Sequence, residues 1–353
     1  MSTDPVNDRK VEHLRVIRHD PDADRRKFYF DAIRLTHRAL PEIDFDEVDT
    51  RVAFMGKTLS FPLLISCMTG GHGEELHRIN RNLAIAAETA GVAMGTGSQR
   101  VMIGNPQARE SFMLRGHAPS TLLFGNIGAV QFNRGITPGQ CAQLVGETGM
   151  DALCLHLNPL QEAVQPGGDT CFRGLAARIR EVADTLAVPV IVKEVGAGIG
   201  LEDARALIAS GIRYIDVAGA GGTSWSRIEH ARDASDDSPG LCFQDWGIPT
   251  PDALRQLAPL REQVTLIASG GIRTGLDMVK AMVLGASLCG IARPFLEPAA
   301  VSADAVLQHI RRLKREFQTA MFLLGTATVA GLVGNHSLLL QGHGIDDSPE
   351  GHS

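Results

Sequence analysis

What this 353-residue chain lacks narrows its possible roles first. It has no basic surplus: 34 Lys and Arg stand against 40 Asp and Glu, for a net charge of −6, which argues against a general nucleic-acid binder. Its six cysteines (Cys67, Cys141, Cys154, Cys171, Cys242, Cys289) include no CxxC pair and no zinc-like spacing. Free thiols in a reducing compartment are therefore expected, with Cys67, Cys154 and Cys289 in apolar runs that read as buried strands. The charged start, MSTDPVNDRKVEHLRVIRHD, has no apolar core of the kind a secretion signal needs. Residues 317–345 contain no Asp, Glu, Lys or Arg, yet Thr and Gly interrupt the run before 18 continuous apolar residues accumulate. A buried helix with its following turn is expected there instead of a membrane span. No solenoid or propeller repeat is evident.

What is abundant is glycine: 38 residues, where average usage of roughly 7% would give about 25. Their positions follow a pattern. Eight short apolar runs recur at 61–67, 91–97, 121–129, 152–157, 188–195, 214–219, 265–271 and 286–292. Helical patterns lie between them, such as Leu175, Ile179, Val182 and Leu186 within 174–188, and Val306, Ile310, Leu313 and Phe317 in the last helix. Fully apolar strands alternating with amphipathic helices imply a parallel sheet covered on its outer face. Eight such units, without a compositional break, favour an α/β fold of the (β/α)8 TIM-barrel type at 61–340 over an open doubly wound sheet. Residues 1–60 read as a charged N-terminal arm and 341–353 as a disordered tail.

In such a barrel the chemistry sits where strands end. Seven of the eight ends carry glycine, beside polar residues: MTGG, GSQR, GNIGA, VKEVG, AGAGGTSW, SGGIRTG and GIARPF. HLNPLQE is the exception. After the seventh and eighth strands, Gly270, Gly271, Ile272, Arg273, Ala292 and Arg293 suit a phosphate, with backbone N–H groups and an arginine for the anion. Lys193, ending an apolar strand, could form a Schiff base or stay charged beside a cofactor. Thr69, Asn126 and Thr223 could hydrogen-bond a polar ring edge. Within HLNPLQE, Glu162 is a hard-oxygen candidate for Mg2+, and Gln161 cannot titrate. Arg9, Lys10 and His13, folded over the mouth, would present cations to a diphosphate, and Arg100 could join them. Residues 226–249 read as a long loop, with Trp225 and Glu229 at its start.

Together these blocks resemble the type 2 isopentenyl-diphosphate isomerases, flavoenzymes on an FMN-binding barrel. The resemblance runs from about residue 9 to 340 through RKVEH, MTGG, GSQR, GNIG, HLNPLQE, VKEVG, GGTSW, GGIRTG and GIARP; RKVEH, GSQR and HLNPLQE are the most specific. It implies FMN contacts at Cys67, Met68, Thr69, Ser98, Asn126, Lys193, Thr223, Gly271, Ile272, Arg273, Ala292 and Arg293. It implies substrate contacts at Arg9, Lys10, His13, Ser98, Gln99, Arg100 and Gln161, with Glu162 on Mg2+. The implied reaction moves a double bond between isopentenyl and dimethylallyl diphosphate by proton addition and removal, with no net redox. NADPH serves only to reduce the flavin. Gln161 is the leading candidate for proton handling, with His156 and Glu229 behind it. The family also implies a cytoplasmic homo-oligomer, a tetramer or octamer, with no nucleic-acid partner. The main rival is an FMN barrel oxidoreductase of the 2-hydroxy-acid oxidase type, which should show a His-Gly-x-Arg constellation where this chain has SGGIR. An inosinate dehydrogenase would need a cysteine after strand six, where GGTSWS offers none.

Overall fold

In the computed structural model, residues 5–25, 27, 29–233 and 238–340 are described. The tail expected at 341–353 lies outside them. Ten strands are present among the described residues: a hairpin of β1 (Val52–Phe54) and β2 (Lys57–Leu59), then β3 (Leu63–Ile65), β4 (Ala93–Gly95), β5 (Leu123–Gly128), β6 (Ala152–His156), β7 (Val190–Lys193), β8 (Tyr214–Asp216), β9 (Thr265–Ser269) and β10 (Leu288–Ile291). The last eight are the eight apolar runs of the sequence. They close into a barrel in chain order, every neighbour parallel and β10 pairing back to β3.

The strands are largely apolar because both faces are covered. Inside the barrel, Leu64, Ala93, Phe124, Ala152, Cys154, Ile191, Ile267 and Leu288 form one cluster. Phe54 and Leu59 of the hairpin join it and plug the end where the strands begin, with the Phe54 ring 5.9 Å from that of Tyr214. Outside, the helices bury their apolar stripes on the sheet. Val306, Ile310, Leu313 and Phe317 are all buried in the helix Ala303–Leu323, which starts where the Ser302 hydroxyl accepts the Ala305 N–H. The other expected helix is Leu175–Thr185, shorter than 174–188 because Leu186 is already extended on the approach to Pro189.

One element differs from expectation. The segment read as a loop from 226 opens with a helix, Trp225–Arg232, begun by Ser224, whose hydroxyl accepts the Arg227 N–H. The N-terminal arm opens with a helix, Pro5–His19, in which Leu14 and Val16 are buried. Among the described residues no helix is long and apolar enough to cross a membrane, and the six cysteines are free thiols.

If the hairpin plugs the barrel, Phe54→Ala empties a packed position that is 5% exposed. Denaturant unfolding should then show a loss of about 3–5 kcal/mol; a loss under 1 kcal/mol would mean that the hairpin rests on the surface.

Candidate active site

The eight strand ends meet around one cavity of about 290 Å³. The loops come this close because glycine stands between them. Gly270 has φ +96°, and a Cβ there would strike the Gly219 carbonyl of the neighbouring loop. Gly97 similarly lies against the backbone of Thr69 and donates its N–H to the Thr69 carbonyl at 2.8 Å.

One wall holds Cys67, Met68, Thr69, Asn126, Lys193 and Thr223; the loops Gly271–Arg273 and Ala292–Arg293 form another. Two buried hydroxyls on this side, Ser66 Oγ and Thr69 Oγ1, have no partner in the protein and so await one from a bound group. The Arg273 guanidinium is turned to the arm, donating to Asp24 Oδ1 (2.6 Å) and to the carbonyls of Gly221 and Gly271 (2.8 Å each). It braces the loop that follows β9. Arg293 likewise donates to the Ile17 carbonyl at 3.0 Å.

The arm helix roofs the cavity with Arg9, Lys10, His13, Leu14 and Ile17. Lys10 donates to the Ser98 carbonyl at 2.8 Å and lies over the Phe112 ring. Arg100 reaches the same rim and pairs with Asp169 at 3.2 Å. Burial pushes the Asp169 carboxyl up, but Gln131, Arg100 and Arg134 outweigh it and hold the acid below its usual range. Gln99 departs from its expected place. It is fully buried and points away from the cavity, its amide spanning Thr148 Oγ1 and the Asn126 N–H at 3.3 Å each, because Gly125 opens space for it behind β5.

Gln161 lines the cavity with its amide held at both ends. Its Nε2 donates to Glu229 Oε1 (2.7 Å) and its Oε1 accepts from Asn158 Nδ2 (3.2 Å). Glu229 is fully buried behind it and does not line the cavity. It also accepts from His13 Nε2 at 2.9 Å and from Arg232. Burial raises this acid, but His13, Gln161 and Arg232 together bring it below its ordinary value, so it is a carboxylate. It holds the Gln161 amide from behind the cavity wall. His156 does face the cavity, its Nδ1 2.7 Å from Asn126 Oδ1. Burial, then the charges of Lys193 and Lys10, push its pKa down to about 3. Glu162 lines the cavity too, its carboxylate accepting from Asn158 (2.9 Å), Gln165 (3.3 Å) and the Asp169 N–H (2.7 Å). Among the described residues no group of three His, Cys, Asp or Glu forms a ready cation cage.

Sequence reasoning did not single out Ser66, Asp169, Arg25, Glu194 or Asp216. Arg25 donates to the carbonyls of Gly222 (3.3 Å), Thr223 and Trp246 (3.1 Å each) and Gly196. Glu194 accepts from the N–H groups of Val195 and Gly196 (2.6 Å each), Ala197 and Gly198 (3.2 Å). Glu194, the VKEVG acid, carried the only local signal: a carboxyl followed by small residues suits a backbone nest.

A closed parallel barrel with its cavity at the strand ends defines an enzyme fold, and the comparisons narrow it. Residues 147–339 match the FMN-dependent dehydrogenase family. The fold is shared with a flavocytochrome b2 variant with sulfite bound (TM-score 0.66, 19% identity, 94% of this chain and 85% of that one) and a mandelate oxidase variant (0.58, 20%, 92% and 90%). These remote likenesses establish the fold alone. Much nearer in sequence is an isopentenyl-diphosphate delta-isomerase from Paracoccus zeaxanthinifaciens, 54% identical over 95% of this chain and 98% of the relative. One from Hydrogenovibrio crunogenus is 48% identical over 96% and 100%. The chain belongs to the isopentenyl-diphosphate delta-isomerases, of the FMN-dependent type 2.

The His156 environment makes a direct prediction. Its ring resonances should show a neutral imidazole, without titration, from pH 8 down to 5. An unfolded histidine takes up its proton near 6.5 and the folded one only near 3, so this residue makes stability fall as pH drops through that window. A folded-state midpoint near 6.5 would contradict the burial argument.

Proposed function

We propose that this chain interconverts isopentenyl and dimethylallyl diphosphate, with reduced FMN bound and no net redox change. The observation that carries the proposal is the pairing of a clamped, non-titrating amide, Gln161, with cations from the arm and from the end of β4 at one cavity rim. The cavity also fits the cofactor. The unpartnered Ser66 and Thr69 hydroxyls, Lys193, Asn126 and Thr223 suit a polar ring edge, and the two loops at 271–273 and 292–293 suit its phosphate. Bound in reduced form, FMN would supply an acid/base group at its N5 region.

The protein's own residues do the rest. Arg9, Lys10 and Arg100 would hold the diphosphate, and Glu162 would hold Mg2+, whose other ligands must be phosphate oxygens and water. Leu14, Ile17, Met68 and Trp225 give the five-carbon chain an apolar wall and keep water out. Proton addition to the alkene creates positive charge on a tertiary carbon, and a proton must then leave C2. The polar groups facing that charge are neutral: Gln161, Asn126 and an unprotonated His156. Each can present a lone pair to the cation, where an imidazolium would repel it. Glu229 fixes which end of Gln161 faces the substrate, so that Gln161 can orient or relay a proton. NADPH would serve as the flavin reductant. The reading also includes a cytoplasmic homo-oligomer of four or eight chains, supported by the family resemblance.

The test is anaerobic incubation with FMN, Mg2+, NADPH and isopentenyl diphosphate, following dimethylallyl diphosphate by product analysis. If no product forms while a 2-hydroxy acid reduces the bound flavin, the oxidase reading replaces this one. Gln161→Ala should bind FMN normally and lose about 10²-fold or more in kcat, the low end of what positioned proton transfer contributes. For Glu162→Gln, the Mg2+ concentration giving half-maximal rate should rise; an unchanged titration would remove Glu162 from the metal site.

A further inference from the structure

Beside Lys193 lies a carboxylate that the reaction as derived does not use. Asp216 ends β8 and is 1% exposed. It is the register partner of Lys193 on β7, so the two side chains leave adjacent parallel strands on the same face of the sheet. Asp216 Oδ1 accepts from Ser269 Oγ (2.6 Å) and from the Ala218 N–H (3.2 Å), while Oδ2 is buried with no hydrogen-bond partner. Ser269 and Ala218 both line the cavity, which puts Asp216 directly behind its wall.

An acid with one oxygen unmet in so dry a place is costly unless something offsets it. Burial pushes the Asp216 carboxyl up, and the Lys193 charge, the Ser269 hydroxyl and the Ala218 N–H act against that. The Lys193 ammonium, itself buried and donating to the Glu194 carbonyl, is the opposite charge at hand. In a poorly screened interior its field reaches Asp216 without direct contact.

We propose that Asp216 is a positioning residue that acts electrostatically on the bound flavin: its negative charge offsets Lys193 and so sets the proton affinity of the reduced ring. This rests on the reading that the ring lies against Lys193. Lys193 alone would favour the ring in its anionic reduced form and weaken its hold on the proton that the isomerisation borrows and returns. With Asp216 in place the ring can do both.

The test compares wild-type protein with Asp216→Asn, each titrated with FMN and then reduced stepwise against a reference dye at pH 7. The absorbance of the reduced flavin is followed against pH. The variant's midpoint potential should move positive, and its reduced ring should lose its proton more readily, by about tenfold in proton affinity, one pKa unit. Lys193→Met should move both quantities the other way. Asp216→Ser, smaller and equally uncharged, should repeat the Asn result. Wild-type protein that fails to bind FMN overturns the functional reading itself. Folded, FMN-loaded Asp216 variants with unchanged or more negative potentials overturn this proposal alone. If neither variant folds with FMN bound, Asp216 is a folding residue and the assignment falls.

Discussion

Closing a parallel sheet on itself forces eight strand ends into one ring, and everything functional in this chain depends on loops meeting in that small circle. Side chains at the contact points would hold the loops apart. Gly270 against Gly219, and Gly97 against Thr69, show backbone meeting backbone where a Cβ would collide. The glycine surplus is therefore a packing requirement as much as a binding one. It lets the strand ends form a continuous wall, from which Thr69, Asn126, Lys193 and Thr223 line one cavity.

Charge is sorted by depth within that wall. Ionised cations sit at the rim, on Lys10 and Arg100, where a diphosphate and water can reach them. Lower down, Gln161, Asn126 and His156 face the cavity beside Lys193 and Glu162, while Glu229 and Glu194 are set behind the wall. Glu229 braces Gln161, and Glu194 collects backbone N–H groups. An amide held at both ends presents a fixed, uncharged polar group to the cavity.

The barrel was legible because strands covered on both faces must be largely apolar, which leaves eight recurring runs. Helices with a clean stripe, such as Val306 to Phe317, were legible for the same reason. The helix Trp225–Arg232 was not, because WSRIEHAR carries four charged or titratable side chains and only one aliphatic, Ile228, on its buried face. Its partners are the arm residues Val16 and Ala23, more than 200 positions away. Gln99 shows the limit within a motif. The composition GSQR marks a site, but which of its side chains turns inward depends on Gly125 of the next strand. Asp216 was hidden for a related reason: in sequence YIDVAG is an ordinary buried strand, and only the register beside Lys193 gives its acid a role.

The arm completes the site, and the way it is held bears on how it works. Its exposed ion pairs, such as Arg18 with Glu75, are worth about 0–1 kcal/mol each. They cannot fix its position alone. Burying Leu14 and Val16 contributes more, about 1.5–3 kcal/mol for each such side chain. The T-shaped contact of His13 with Trp225 at 5.1 Å adds to that grip. The apolar face of the helix docks it, and its polar contacts set the register. Arg9 and Lys10 therefore need not anchor the arm. The Ser98 carbonyl that Lys10 now contacts could yield to a phosphate oxygen without the arm letting go. His13 ties the same helix to Glu229 and through it to Gln161. One helix thus carries both the cations proposed for the diphosphate and the outermost support of the Gln161 amide.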